Sequence, residues 1–171
     1  MSRQYPEDMT LEKCRAALKP NSKPFYQQGF LNWRGLTSDT NEIYSEVIAD
    51  FIINKIGNIE RPLFNYVKRD EPYNLEHNKK ISGKGERRLA KAIFNTKNPQ
   101  IFGQFIHYET PLKKNNSDKV GKIDLLAFNK EENILRLIEL KRPDSPETLL
   151  RCVMEIYSYY KLVNKNELLK A

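Results

Sequence analysis

The chain has 171 residues, of which 39% are hydrophobic and 30% are charged, a balance typical of one folded domain and not of a disordered chain. No apolar run approaches the roughly 18 residues of a membrane-spanning helix, and the opening MSRQYPEDMT holds no secretory signal. We therefore expect a cytoplasmic protein that does not enter a membrane, and its formal net charge of +7 favours a polyanionic partner such as nucleic acid.

The first part of the chain, residues 1–84, is predicted to be a helical segment that packs on the rest. Thr10 is expected to cap a short helix that ends before Pro20. A second helix is predicted over 40–56, because its apolar residues recur at helical spacing, and Gly57 suits the position just past its end.

The second part, residues 85–171, has the alternating pattern of an α/β core. The extended runs 120–128 and 134–141 are rich in Ile and Leu on both faces, which predicts that they lie centrally in a sheet covered by helices. Ser145 is the expected cap of the last helix, with Pro146 at its first position. The predicted elements are a helix over 85–95, strands over 104–112, 120–128 and 134–141, and a helix from Ser145 to about Val163.

A short turn joins the last two predicted strands, so they should form an antiparallel hairpin. If the turn comprises 130–133, counting outward sets Asp124 opposite Glu139 and Lys122 opposite Lys141. Directly opposed residues share one face of a sheet, as do residues two apart on one strand. One face should therefore present Asp124, Glu139 and Lys141 together.

Two neighbouring carboxylates in a half-buried setting repel each other unless a cation lies between them. Oxygen ligands of this kind suit a hard divalent ion such as magnesium, and a nearby lysine can steady a phosphate or an attacking water. This set is the minimum for metal-assisted phosphodiester hydrolysis. The alternative is a solvated group of charges or a cross-strand ion pair.

Asp124, a gap of fourteen residues and then Glu139-Leu140-Lys141 resemble the motif of the PD-(D/E)xK nuclease superfamily, although Ile123 stands where many members have proline. The resemblance implies a restriction-endonuclease-like core over about half the chain, with a helix, a three-stranded, mainly antiparallel sheet and a helix. It also implies that Asp124, Glu139 and the carbonyl of Leu140 bind a metal, with Lys141 as the catalytic lysine.

Many members of this superfamily place a glutamate on the helix before the first strand. Glu86 fits that position, and Leu89 and Ile93 follow it at helical spacing. We therefore expect Glu86 to be a further metal ligand and catalytic residue, on a helix that covers the face of Asp124 and Glu139. The alternative is a first-turn glutamate that only complements the helix dipole.

Several members also carry a Gln-x-x-x-Tyr pattern on the helix after the motif. This chain has Glu155 and Tyr159 at that spacing, and the resemblance implies that they support the metal ligands through hydrogen bonds. For Glu155, an ion pair with Arg151 one turn earlier is an equal alternative.

Four basic residues are predicted to contact nucleic acid. Lys122, opposite Lys141, could meet a substrate phosphate, and the helix of Glu86 could form a basic rim through Arg87, Arg88 and Lys91. A solvated helix face explains the same residues equally well.

The resemblance favours a magnesium-dependent (or manganese-dependent) endonuclease, a hydrolase that acts on nucleic acid and preferably on DNA. Two alternatives stay open: a non-catalytic nucleic-acid-binding module on the same fold, and a protein-interaction domain. A homodimer also stays open. The superfamily core normally has a fourth strand, so either NKNELLKA lacks it or the chain is part of a longer protein.

Overall fold

Helices precede and follow a three-stranded antiparallel sheet in the chain, as an α/β core requires. The computed structural model describes residues 4–59, 80–96, 101–112 and 121–163, together with Asn166 and Leu168. In this part, no helix is long and apolar enough to cross a membrane. The α-helices are α1 (Glu7–Ala17), α2 (Tyr44–Ile59), α3 (Gly85–Phe94) and α4 (Leu149–Leu162), and the strands are β1 (Gln104–Pro111), β2 (Lys122–Asn129) and β3 (Ile134–Ile138).

The strands are ordered β1-β2-β3, so β2 is the central strand. Its middle is fully buried from Leu125 to Ala127, which agrees with its Leu-rich and Ile-rich sequence. The prediction that 134–141 is equally central is wrong for the described sheet. β3 lies at its edge, is only partly buried and ends at Ile138.

One face of the sheet packs against α3 and forms the core of this region. The helix contributes residues at a helical spacing of three and four, and the strands contribute alternate residues. The fully buried members are Ala90, Phe94, Phe105, Leu125 and Ala127, with Ile93, Tyr108, Ile138 and Leu140 packed around them.

The chain divides into two compact units. The first comprises Met1–Arg61 with Ser145–Ser158, and the second comprises Pro62–Asp144 with Tyr159–Ala171. The sequence prediction divides the chain between residues 84 and 85, whereas the first unit ends at Arg61 and takes in Ser145–Ser158.

In the first unit, α1 begins three residues before the predicted cap. The N–H of Glu7 donates to Oδ1 of Asp39 at 2.9 Å, so a distant aspartate satisfies this end of the helix. Thr10 instead lies within the first turn, where its hydroxyl donates to the carbonyl of Pro6 at 3.1 Å. The helix therefore starts in Glu7-Asp8, acidic residues that complement its dipole.

The second helix, α2, also differs from its predicted bounds. It starts at Tyr44, because the preceding segment is held by an antiparallel bridge between Leu36 and Ile43. Gly57 lies inside α2 and not past its end, two residues after Lys55, whose backbone is not helical.

The start of α4 shows a further difference from the sequence prediction. Thr148, not Ser145, is the cap, and its Oγ1 accepts from the N–H of Arg151 at 3.2 Å, as a threonine cap does. The same hydroxyl donates to the carbonyl of Leu31. Within the first unit, Arg34 also donates to the carbonyl of Pro146 at 3.1 Å, which holds the segment before the helix.

Cys14 and Cys152 are both free thiols. Cys14 is buried in α1, and burial raises the pKa of its thiol to about 12. Cys152 in α4 is partly buried.

Candidate metal centre

The β2–β3 hairpin has the predicted register. Asn129 pairs with Ile134 at the turn, Leu126 pairs with Leu137, and the last ladder pair joins Leu125 to Ile138. Continued by one residue, this register sets Asp124 opposite Glu139. The prediction of the hairpin alignment is confirmed up to the pair that precedes the two carboxylates.

Asp124 joins the two strands at the point where the ladder ends. Its Oδ2 accepts a hydrogen bond from the N–H of Leu140 at 2.8 Å. The carboxylate of Asp124, and not a main-chain carbonyl, thus accepts the hydrogen bond that follows the last ladder pair. The Asp124 carboxylate therefore lies against the backbone of the Glu139-Leu140-Lys141 segment. The side chain of Leu140 packs on the core, and the role of its carbonyl as a metal ligand stays a prediction.

Glu139 and Lys141 form an ion pair in partial burial. Lys141 Nζ lies 2.9 Å from Oε1 of Glu139, and their side chains are 6% and 18% exposed. Since water is largely excluded from the glutamate, the electrostatic interaction is stronger here than in an exposed pair. The charged groups of Glu139 and Lys141 therefore lie next to each other at a site that is largely shielded from water.

Asp124 and Glu139 belong to the face of the sheet that α3 does not cover. They alternate with Leu125, Ile138 and Leu140, which form or pack against the core cluster that includes Ala90 and Phe94 of α3, and alternate residues of a strand point to opposite faces. The packing of α3 on the Leu125 face differs from the prediction that the helix of Glu86 covers the carboxylate face, although Arg87 of α3 pairs with Glu109, which lies opposite Asp124. Both faces of β2 are apolar, so the sequence pattern alone did not reveal which one α3 packs against.

Glu86 lies partly buried in the first turn of α3. Among the residues described, no three side chains of His, Cys, Asp or Glu gather closely enough to hold one metal ion. The structure thus does not bring Glu86 into a group with Asp124 and Glu139. Two carboxylates still fit magnesium, which commonly binds one or two protein carboxylates and takes its other ligands from water and substrate phosphates.

The four predicted nucleic-acid contacts have different surroundings. Arg87 and Lys122 are largely exposed but pair with one acid, Glu109, at 2.8 Å and 3.4 Å. Lys91 is only 9% exposed and donates to Oγ of Ser82 at 3.0 Å. Lys91 therefore does not belong to an exposed basic rim as predicted, since contact with a phosphate requires exposure. The fourth residue, Arg88, is exposed at the surface of α3.

Glu109 was not singled out from the sequence. The ladder pairs of Tyr108 with Leu125 and of Thr110 with Ile123 set it opposite Asp124. Its φ is +49°, a left-handed backbone that a glutamate rarely adopts, at a cost of about 1–2 kcal/mol. Its carboxylate meets both Arg87 and Lys122. A charged residue inside an extended run was the only sequence signal, and it does not indicate the backbone conformation.

Glu155 and Tyr159 lie one turn apart on α4, and their structural surroundings differ. The expected alternative partner of Glu155, Arg151, instead pairs with Glu147 at 3.5 Å. Tyr159 is 1% exposed, and its hydroxyl lies so close to Gly121 that a Cβ there would be 1.7 Å away. Tyr159 therefore packs against Gly121, the residue just before β2 and three residues before Asp124.

Comparison of the chain with models of known protein families, with characterised proteins and with solved structures gave no match. Asp124, Glu139 and Lys141 define an acidic pair with an adjoining lysine at the end of an antiparallel hairpin.

Proposed function

We propose that this protein is a divalent-metal-dependent nuclease that hydrolyses phosphodiester bonds of nucleic acid, with DNA preferred. The hydrogen bond from Leu140 to Asp124 carries the proposal, because it joins the two segments of the motif. It holds the Asp124 carboxylate at the segment that carries Glu139 and Lys141. The restriction-endonuclease-like fold is part of the same proposal and is compatible with the observed helix, three-stranded sheet and helix.

Asp124 and Glu139 would hold a magnesium or manganese ion, which when bound neutralises charge on the phosphate and lowers the pKa of water. The protein's part is to position the reacting groups. Asp124 is fixed by its bond to the main chain of Leu140, and Glu139 is fixed by Lys141. These contacts limit the freedom of both carboxylates before substrate arrives.

Lys141 has three N–H donors, and one of them points to Oε1 of Glu139. Another can donate to a phosphate oxygen or to the attacking water, which orients that group for in-line displacement at phosphorus. The ammonium also offsets the negative charge that develops on the phosphate. Loss of one such donor typically slows catalysis by about 10²–10³-fold.

A plasmid and oligonucleotide cleavage assay with magnesium or manganese tests the proposal. Lys141→Ala should lose cleavage by about 10²–10³-fold, whereas Lys130→Ala, the same change in the exposed hairpin turn, should cleave at the parent rate. Absence of cleavage by the parent, or equal activity of Lys141→Ala, contradicts the proposal.

The second candidate is a non-catalytic nucleic-acid-binding module on the same fold. It is favoured by one observation: the contacts of Asp124 with Leu140 and of Glu139 with Lys141 could serve to close the hairpin alone. In that case, nucleic acid binds without metal, and replacement of the carboxylates leaves its affinity unchanged. Magnesium titration of the binding affinity distinguishes the two functions.

A further inference from the structure

A cleft of about 640 Å³ lies between the first turns of α3 and the chain that follows the Glu139-Leu140-Lys141 segment. We call it the Arg88 cleft. Its volume is in the range of small-ligand sites, roughly 300–1,000 Å³. The side chains that line it are three cations, Lys84, Arg88 and Arg142, and three apolar residues, Leu89, Ala92 and Pro143.

Two of the three cations of the Arg88 cleft have no acidic partner among the described residues. No acidic residue of the described chain lines the cleft. Arg142 forms an ion pair with Asp144, but Lys84 and Arg88 make no hydrogen bond or ion pair with any described residue. Lys84 and Arg88, beside the paired Arg142, leave an excess of positive charge around one concave surface, which attracts an anion.

The apolar side of the Arg88 cleft narrows the choice of anion. Leu89, Ala92 and Pro143 offer a surface without hydrogen-bonding side chains, next to guanidinium groups that bind phosphate with two parallel hydrogen bonds. Inorganic phosphate would use only the cations. A ligand that also has a flat, weakly polar ring would use both sides.

We propose that the Arg88 cleft binds one nucleotide, with its phosphate at Lys84, Arg88 and Arg142 and its base against Leu89, Ala92 and Pro143. The source of this nucleotide, a nucleic-acid strand, rests on the proposed function. Binding itself does not require cleavage, because Leu89 and Ala92 belong to α3, which packs on the face opposite Asp124 and Glu139.

The test is fluorescence anisotropy of a short fluorescein-labelled single-stranded DNA, measured in chelator so that no cleavage occurs. Arg88→Ala should weaken binding roughly tenfold, the effect of losing a charge-assisted hydrogen bond. Lys130→Ala removes one positive charge from the exposed turn at the other end of the hairpin and should have a much smaller effect. Equal affinities of the two variants overturn the proposal.

Competition with unlabelled ligands identifies what the cleft recognises. Deoxyadenosine monophosphate should displace the labelled strand at a lower concentration than inorganic phosphate. It should lose this advantage in Arg88→Ala. Equal competition by both ligands overturns the assignment of a nucleotide.

The same measurements separate this inference from the nuclease proposal. In the Asp124→Asn background, Arg88→Ala should still weaken DNA binding more than Lys130→Ala does, while cleavage is lost. If the parent does not cleave DNA but this difference persists, the nuclease proposal fails and the nucleotide cleft stands. If cleavage occurs and the difference is absent, only the cleft is overturned.

Discussion

The main-chain N–H of Leu140 donates to Oδ2 of Asp124 at 2.8 Å, just beyond the last ladder pair of the hairpin. One carboxylate oxygen thus closes the hairpin, and the carboxylate is also the first candidate metal ligand. A substitution at Asp124 therefore affects both stability and metal binding. Two different replacements separate these effects.

Asp124→Ala should destabilise the protein by about 1–3 kcal/mol in chelator, because the N–H of Leu140 then loses its partner in a partly buried setting. Asp124→Asn retains an acceptor oxygen and should lie within about 1 kcal/mol of the parent. Urea unfolding of the three proteins measures the difference. Equal stability of the alanine and asparagine variants would show that the hydrogen bond contributes little.

Magnesium should raise the melting temperature of the parent in a concentration-dependent way, since it binds the folded state. Asp124→Asn should lose this response together with cleavage, because the amide oxygen is a weaker ligand than a carboxylate. Thermal melts with magnesium and with chelator provide the comparison. If magnesium stabilises Asp124→Asn as much as the parent, Asp124 is not a ligand.

Glu109→Gln should increase the affinity for duplex DNA, because it releases Arg87 and Lys122 from a shared carboxylate. Each additional phosphate contact steepens the dependence of log affinity on log salt by about 0.9. The matched control is Glu132→Gln, which releases Arg136 near the hairpin turn. Anisotropy across a salt series should show the steeper slope for Glu109→Gln only, and equal slopes would contradict this role of Glu109.

Gly121→Ala should destabilise the protein by about 1–3 kcal/mol, the usual cost of overpacking. The new methyl group meets the Tyr159 hydroxyl at 1.7 Å. Tyr159→Phe removes that oxygen and should recover part of the loss in a double-mutant cycle. Gly57→Ala is the control: apart from the backbone of α2 itself, no atom of the described residues lies within 4 Å of the added Cβ, so it should stabilise by about 0.5–1 kcal/mol. A neutral Gly121→Ala contradicts the close approach.

Asp39→Asn should reduce stability at neutral pH but not at low pH. The hydrogen bond from the N–H of Glu7 lowers the pKa of Asp39 below its ordinary value of 3.8. A depressed folded-state pKa contributes stability above the unfolded-state pKa, and that contribution disappears as pH falls through the folded-state pKa. Urea unfolding of parent and variant from pH 7 to below pH 3.8 should show the difference vanish. A constant difference would assign it to something other than this charge.

The hairpin could be predicted from the sequence because its signals are local. A short polar turn sets the point from which the pairs are counted outward, which gives the pairing of Leu126 with Leu137, and this pairing determines which residues share a face. The bounds of α3 were also predicted closely, from an apolar stripe at helical spacing.

The remaining differences between the predicted and the observed elements come from contacts between residues distant in sequence. Asp39 satisfies the start of α1, and Leu31 accepts a hydrogen bond from the cap of α4. Asp39 and Leu31 both lie far in sequence from the helix that they help to start. The local sequence therefore favoured Thr10 and Ser145 as caps, and both predictions are wrong. The left-handed backbone of Glu109 likewise could not be predicted, because no glycine or asparagine in that strand marks the position.

The cap of α4 has a consequence for how the chain can be cut. The Thr148 hydroxyl donates to the carbonyl of Leu31, and Arg34 donates to the carbonyl of Pro146. The segment that leads into the last helix therefore depends on residues near position 30. A fragment that begins at residue 85 would contain the whole Asp124 to Lys141 motif but would leave these groups to solvent. The first unit is thus built from two separate stretches of chain, and a truncation that keeps the start of α4 should also keep residues 28–34.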